Sequence, residues 1–278
     1  MNLRRMMATA AAPIRPLLRR GEPMTPGFLV VGTKRGGSTS IYHWIAQHPQ
    51  VAPCRTRKGT HYFDVNHARG EAWFRSAFEV QRDPWRTTGE GSPYYMFHPH
   101  SARWIMETLP DVRLIAVLRD PVARAWSHHQ YETQNGRETL GFEEALDAEP
   151  SRTDGEEERI LADPGYVSAE HRYHTYLARG HYADQLERIL AHVPGDQLLV
   201  LQSEALFAEP HSQLQRVWNF LDLDPVRLEG LGAMKQGRGR SIPPAAVVRL
   251  EEYYSPWNER LYALPGVDFR WNPAGGIA

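Results

Sequence analysis

The stretch Phe28-Leu29-Val30-Val31-Gly32-Thr33-Lys34-Arg35-Gly36-Gly37-Ser38-Thr39 constrains the fold more than any other part of the chain. An apolar run of strand length enters a basic, glycine-rich loop, and the residues from Ile41 onward read as a helix. Strand, loop and helix in that order build a phosphate cradle. Glycines let the backbone approach an anion, and the N–H groups and dipole of the helix start attract it. Lys34 and Arg35 add full charges. A Walker A loop would carry lysine directly after its second glycine, whereas Gly37 is followed here by Ser38, so the basic residues precede the glycine pair. That arrangement argues against an ATPase or kinase, which is kept as the alternative reading.

Further along, strand-like and helix-like segments alternate, which predicts an α/β fold with a mainly parallel central sheet flanked by helices in three layers. Strands are expected at 28–32, 61–63, 113–118 and 197–201. Helices are expected at 39–48, 71–78, 101–109, 122–134, 142–148, 168–178, 182–192, 210–221 and 244–254. With 278 residues, 41% of them hydrophobic, the chain can bury one substantial core. A single domain is expected over 27–272, after a disordered basic leader (1–26) and before a frayed tail (273–278). The acidic stretch 147–163 reads as a solvated face or a mobile segment over a cleft.

Several function classes are disfavoured. A net charge of -1 gives no global case for binding nucleic acid. The single cysteine, Cys54, rules out an intrachain disulfide framework and a cysteine-rich metal site. No metal-ligand cluster is expected. No apolar run reaches the ~18 residues of a spanning helix, so no membrane span is expected, although the basic leader suits a weak membrane-surface contact. A cytoplasmic location is the corresponding expectation.

A second anion site is predicted where the buried-strand pattern 113–118 runs into Arg119-Asp120-Pro121. Asp120 suits a helix N-cap and Pro121 a first helical position. Arg119 then sits at the carboxyl end of a strand, where open α/β sheets bind ligands, with Ser127 about two helical turns on. An arginine fork and a hydroxyl can hold a phosphate together.

The two strand–loop–helix units together resemble the sulfotransferases that use 3'-phosphoadenosine 5'-phosphosulfate (PAPS), most closely the branch of heparan-type and bacterial carbohydrate sulfotransferases. Gly32 to Thr39 is similar to that family's 5'-phosphosulfate loop, and Leu118-Arg119-Asp120-Pro121 with Ser127 to its 3'-phosphate site. Arg238-Gly239-Arg240-Ser241-Ile242-Pro243 resembles the basic loop that closes over the nucleotide, and Gly180-His181-Tyr182 followed by Leu198 to Leu201 also fits. The resemblance spans about residues 28–271. It implies a P-loop-like fold and transfer of a sulfonyl group from PAPS to a hydroxyl or amine, releasing 3',5'-ADP, without a metal. The acceptor would be a carbohydrate, a glycolipid or a small metabolite; the sequence leaves its identity and the oligomeric state open. Lys34, Arg35, Gly36, Gly37, Ser38, Thr39, Arg119, Ser127, Arg238, Gly239 and Arg240 are the implied nucleotide ligands.

By the same resemblance Arg35 holds the place of the catalytic lysine or arginine, with Lys34 as neighbour or substitute. A guanidinium stays charged, so its role is electrostatic. Lys58-Gly59-Thr60-His61-Tyr62-Phe63-Asp64 resembles a stretch in which a glutamate commonly follows the lysine and serves as base. Glycine stands there instead, and cannot take a proton. His61 is the leading substitute, because an imidazole is a base at neutral pH. As a strand residue it would share a side with Gly59. Asp64 and Glu90 are the alternatives. Gly91, next to Glu90, stands where heparan-type members often have lysine, and the two absent side chains predict a roomier pocket or a different acceptor. Of the 13 histidines most are bystanders, with His98, His100, His128 and His129 expected at the surface or behind the site. A catalytically inactive module that binds a nucleotide or a glycan is the remaining alternative. Acceptor contacts are expected within 66–75 and 132–176.

Overall fold

The computed structural model describes residues 21–56, 58–232 and 241–271. Five strands form one sheet: β1 (Phe28–Gly32), β2 (Val51–Ala52), β3 (Thr87–Gly91), β4 (Arg113–Leu118) and β5 (Leu198–Gln202). Their order is β2-β3-β1-β4-β5, and every neighbouring pair is parallel. The helices are α1 (Ser38–Ile45), α2 (Glu71–Arg75), α3 (Ser101–Thr108), α4 (Pro121–Gln134), α5 (Phe142–Thr153), α6 (Glu156–Ala162), α7 (Ala169–Tyr173), α8 (Tyr182–Leu190), α9 (Ser203–Ala208), α10 (Pro210–Leu221) and α11 (Pro244–Tyr262).

Strand side chains alternate between faces, so one strand feeds two cores. Leu29, Val31, Leu114 and Ala116 pack with Phe74, Trp104, Leu186 and Ile189 of α2, α3 and α8. Phe28, Val30, Ile115 and Val117 pack with Ile41, Trp44, Leu214 and Trp218 of α1 and α10. These are the three expected layers. A third cluster, built on Val122, Phe142, Tyr176, Leu250 and Tyr254, joins α4, α5 and α11.

The strand expected at 61–63 does not exist. His61 has φ 54, in the left-handed region, and residues 62–65 form turns. Side chains satisfy this segment: Glu90 accepts from the Thr60 N–H, Ser92 Oγ from the His61 N–H, and Asn66 donates to the Thr60 carbonyl. The interior strand is instead Thr-Thr-Gly-Glu-Gly, residues 87–91, which has no hydrophobic run. It packs closely because a Cβ on Gly89 would lie 2.3 Å from the Phe28 carbonyl oxygen.

The acidic stretch 147–163 is the end of α5 and all of α6, not a simple solvated face. Glu149 is 3% exposed and accepts from the N–H groups of Leu177 and Ala178 at 2.6 and 2.8 Å, stopping a helical turn; burial pushes its carboxyl up to about 7. His98, His100, His128 and His129 are likewise buried rather than at the surface. Burial pulls the His98 imidazole down to about 4.

Candidate active site

The chain leaves β1 to build β2 and β3 on one side and crosses back to β4 on the other. The β1–β4 boundary is therefore the switch point, where the two following loops diverge and leave a crevice. Both predicted anion loops open there. The Thr33 N–H donates to the Val117 carbonyl at 2.9 Å, pinning the first loop onto β4. Gly36 must be glycine for this contact, since its Cβ would meet the Val117 oxygen at 2.5 Å. Gly37, with φ 104, is the N-cap of α1 and supplies no side-chain cap. The first-turn N–H groups are thus left for another acceptor.

Asp120 caps α4 as predicted, its carboxylate accepting from the Ala123 N–H at 2.8 Å, with Pro121 in the first turn. The two units meet through side chains. Arg35 Nε donates to Ser127 Oγ at 3.0 Å, and Arg119 Nη1 reaches the Arg35 carbonyl at 3.5 Å. Tyr182 holds the Arg119 carbonyl at 2.9 Å. Arg35 sits at φ 70 with its guanidinium over the Tyr131 ring, 4.9 Å from the centroid. Burial pulls this guanidinium below its ordinary value, with Tyr131 opposing and Arg119 adding to the shift. Arg35, Arg119, Ser127, Ser38 and Thr39 are therefore brought to one end of the sheet. A cationic, hydroxyl-rich, glycine-backed donor set with an uncapped helix start fits a nucleotide bearing two separate phosphates.

Lys34 does not join them. Its ammonium turns into the helical layer, 2.6 Å from Glu132 Oε1 and 3.3 Å from the Arg172 carbonyl. Burial pulls it well below its ordinary value, against the raising effect of the Glu132 carboxylate. Lys34 ties the loop to α4 and α7. Arg238, Gly239 and Arg240 lie outside the described residues.

On the β3 side, Asp64 Oδ2 accepts from His61 Nδ1 at 2.8 Å, and Asp64 Oδ1 accepts from the Val65 N–H. An ionised carboxylate only accepts, so Nδ1 carries the proton and Nε2 is the free base position. The His61 side chain is 32% exposed and that of Asp64 is buried. Glu90 is wholly buried and accepts from Thr60 N, Thr60 Oγ1, Ser92 Oγ and Tyr95 OH at 2.6, 3.0, 2.8 and 2.5 Å. Burial raises its carboxyl, and these donors pull the other way.

The space at the two glycines is filled rather than open. A Cβ on Gly59 would lie 2.4 Å from Ser92 Oγ, 2.5 Å from the Gly91 oxygen and 2.6 Å from Glu90 Oε2; one on Gly91 would meet Lys58 Cε and Tyr42 at 3.3 Å. Gly59→Ala is expected to destabilise the protein by about 1–3 kcal/mol through overpacking. A thermal melt reads this directly, and an unchanged midpoint would show that the wall can yield.

Residue-by-residue reading of the sequence missed a group of neighbours. Lys58 Nζ donates to Thr39 Oγ1 at 3.0 Å and Ser38 Oγ at 3.3 Å. Glu132 anchors Lys34 and also accepts from Arg137. Tyr131 and Tyr173 underlie cations from Arg35, Arg137, Lys34 and Arg172. Four of these, Glu132, Arg137, Arg172 and Tyr173, fall inside the 132–176 window expected for acceptor contacts.

Comparison with known proteins agrees with this geometry. The sulfotransferase domain family matches residues 25–230, and the chain belongs to that family. It is 29% identical over 92% of its length to human heparan sulfate glucosamine 3-O-sulfotransferase 3A1, and 30% identical over 90% to human heparan sulfate glucosamine 3-O-sulfotransferase 6. It spans 64% and 75% of the lengths of those two proteins. Among solved structures, a sulfotransferase from Alicyclobacillus acidocaldarius superimposes with a TM-score of 0.72 and 26% identity, over 88% of this chain and 98% of that one. The fold is that of these P-loop-like α/β enzymes. The expectation of a cytoplasmic location is overturned. The finding against it is a Dictyostelium discoideum relative, 24% identical over 88% of this chain and 66% of its own length, whose name is membrane-associated sulfotransferase kil1.

Proposed function

We propose that this chain, as a single domain over 27–272, transfers a sulfonyl group from PAPS to a hydroxyl of a heparan-type saccharide. The observation that carries the reading is the Arg35–Ser127 hydrogen bond with Arg119 beside it, which joins two phosphate-type sites across the β1–β4 boundary. The cation-on-tyrosine rim of Arg137, Arg172, Tyr131 and Tyr173 next to them suits an anionic sugar chain. The relatives named for heparan sulfate support the same acceptor class.

The donor supplies the sulfonyl group, and its phosphate oxygen takes the electron pair of the S–O bond that breaks. The residues divide the remaining work. Gly36, Gly37 and the first-turn N–H groups of α1 hold the 5'-phosphate, with Ser38 and Thr39 hydroxyls beside them. Arg119 and Ser127 hold the 3'-phosphate. Arg35 faces the charge that builds on the leaving oxygen. His61 Nε2 takes the proton of the acceptor hydroxyl as its oxygen forms the new S–O bond, and Asp64 orients the ring. Lys34 supports the loop from behind. No residue of this scheme requires a metal.

Calorimetric titration with 3',5'-ADP, beside ATP plus magnesium, tests the reading. Tight 3',5'-ADP binding is expected. Arg119→Ala should weaken it by about 1.5–3 kcal/mol, roughly 10- to 150-fold, because a charged hydrogen bond to phosphate is lost. Unchanged affinity would remove Arg119 from the site. Binding of ATP alone would return the loop to the kinases.

A further inference from the structure

Lys58 has no part in the scheme above, yet it is the residue that joins the β3 side of the site to the phosphate loop. Its carbonyl accepts from the Gly91 N–H at 2.8 Å, which fixes residue 58 at the carboxyl end of β3. Its stem then crosses Gly91, with Cε 3.3 Å from where a Cβ of residue 91 would lie. The ammonium ends on Thr39 Oγ1 and Ser38 Oγ, at 3.0 and 3.3 Å. A side chain at 91 would crowd this path.

The chemistry of the contact sets a direction. An ammonium only donates, so both hydroxyls accept from Lys58 and must send their single protons elsewhere. Among the described residues neither hydroxyl donates to a protein acceptor. Both stand in the first turn of α1, beside N–H groups that Gly37 leaves uncapped. We propose that Lys58 is a positioning residue for the donor's 5'-phosphate, turning the Ser38 and Thr39 hydroxyl protons toward that anion. This rests on the donor-site reading given above. Lys58 acts through the two hydroxyls and adds its positive charge behind them, while the 3'-phosphate end of the nucleotide is left to Arg119 and Ser127.

Lys58→Met tests this, because methionine keeps an unbranched stem across Gly91 and removes the donors. Two ligands are titrated calorimetrically: 3',5'-ADP, and adenosine 3'-phosphate, which lacks the group Lys58 serves. The expected result is a roughly 10- to 100-fold loss of affinity for 3',5'-ADP, with adenosine 3'-phosphate held within about twofold. Arg119→Ala, run beside it, should weaken both ligands. Thr39→Val should weaken 3',5'-ADP binding, and the double variant Lys58→Met/Thr39→Val should lose less than the sum of the two single losses, as groups acting through one another do. Equal weakening of both ligands by Lys58→Met would show a general structural role and overturn the proposal. So would unchanged 3',5'-ADP affinity, or strict additivity with Thr39→Val. If Arg119→Ala weakens binding while Lys58→Met does not, Lys58 alone is wrong. If the unaltered protein binds no 3',5'-ADP, the donor reading itself falls, and this proposal with it.

Discussion

Arg35→Met is expected to lower sulfonyl transfer from PAPS to a heparan-type oligosaccharide by about 100- to 1,000-fold in kcat, the usual cost of removing one preorganised charge from a transition state. Affinity for 3',5'-ADP should change much less, within about tenfold, since Arg119 and the loop backbone remain. The split follows from geometry. The Arg35 guanidinium is held by Ser127 on one side and by the Tyr131 ring on the other, so it is positioned before any ligand arrives. Its backbone sits at φ 70, a conformation that non-glycine residues adopt rarely and at a cost. The loop holds it there through the Thr33–Val117 hydrogen bond, the close approach of Gly36 to β4 and the hydrogen bond from Arg119 to the Arg35 carbonyl. A charge fixed in a partly desolvated crevice interacts more strongly with a developing anion than one in water. Arg35→Lys keeps the charge but loses the Nε hydrogen bond to Ser127, and should retain activity within about tenfold of the unaltered enzyme. Full activity in Arg35→Met would remove the electrostatic role from Arg35 and leave it to the neighbouring cations Arg119 and Lys58.

What the sequence could and could not announce follows from which interactions are local. The strands at 28–32 and 113–118 are apolar runs bounded by loop chemistry, and the caps at Asp120 and Pro121 are set by their own neighbours, so pattern alone located both strand–loop–helix units. β3 was invisible because Thr87 and Thr88 pair with β2 and Gly89 with β1, partners far away in the chain. The false strand at 61–63 has the opposite origin. Tyr62 and Phe63 are apolar because they enter the core with Phe74 and Tyr95, while the N–H groups of Thr60 and His61 donate to the distant side chains of Glu90 and Ser92 and bend the backbone there. The direction of Lys34 was hidden for the same reason. Its partner Glu132 lies on α4, and nothing near Lys34 in sequence shows whether it faces the loop or the helices. Gly59 and Gly91 looked like missing groups, but Ser92, Glu90, Lys58 and Tyr42 occupy their surroundings.

His61→Ala should reduce turnover by at least ~100-fold, the scale of a lost general base, and leave 3',5'-ADP affinity nearly intact. Of the three candidates, only His61 presents a free basic atom to solvent. Both Asp64 oxygens are engaged, one by His61 Nδ1 and one by the Val65 N–H. The Glu90 carboxylate is saturated by four donors in a site closed to water. Its work is to hold the 58–61 turn against β3. Asp64→Asn distinguishes an orienting carboxylate from a bystander. If its oxygen stays with the Val65 N–H, the amide NH2 faces Nδ1 and drives the imidazole proton to Nε2, the wrong tautomer for a base. A loss of roughly 10- to 100-fold in kcat is therefore expected, with KM for the donor unchanged. Because the two residues act as one unit, the double variant should be no slower than His61→Ala alone. Transfer assays on a heparan-type oligosaccharide with all three proteins, each checked for an unchanged melting temperature, read this pattern. Normal turnover in His61→Ala would reject the imidazole as base. Loss confined to Glu90→Gln in a protein that still folds would move the proton to that carboxylate, and would require the 58–61 turn to open when the acceptor binds.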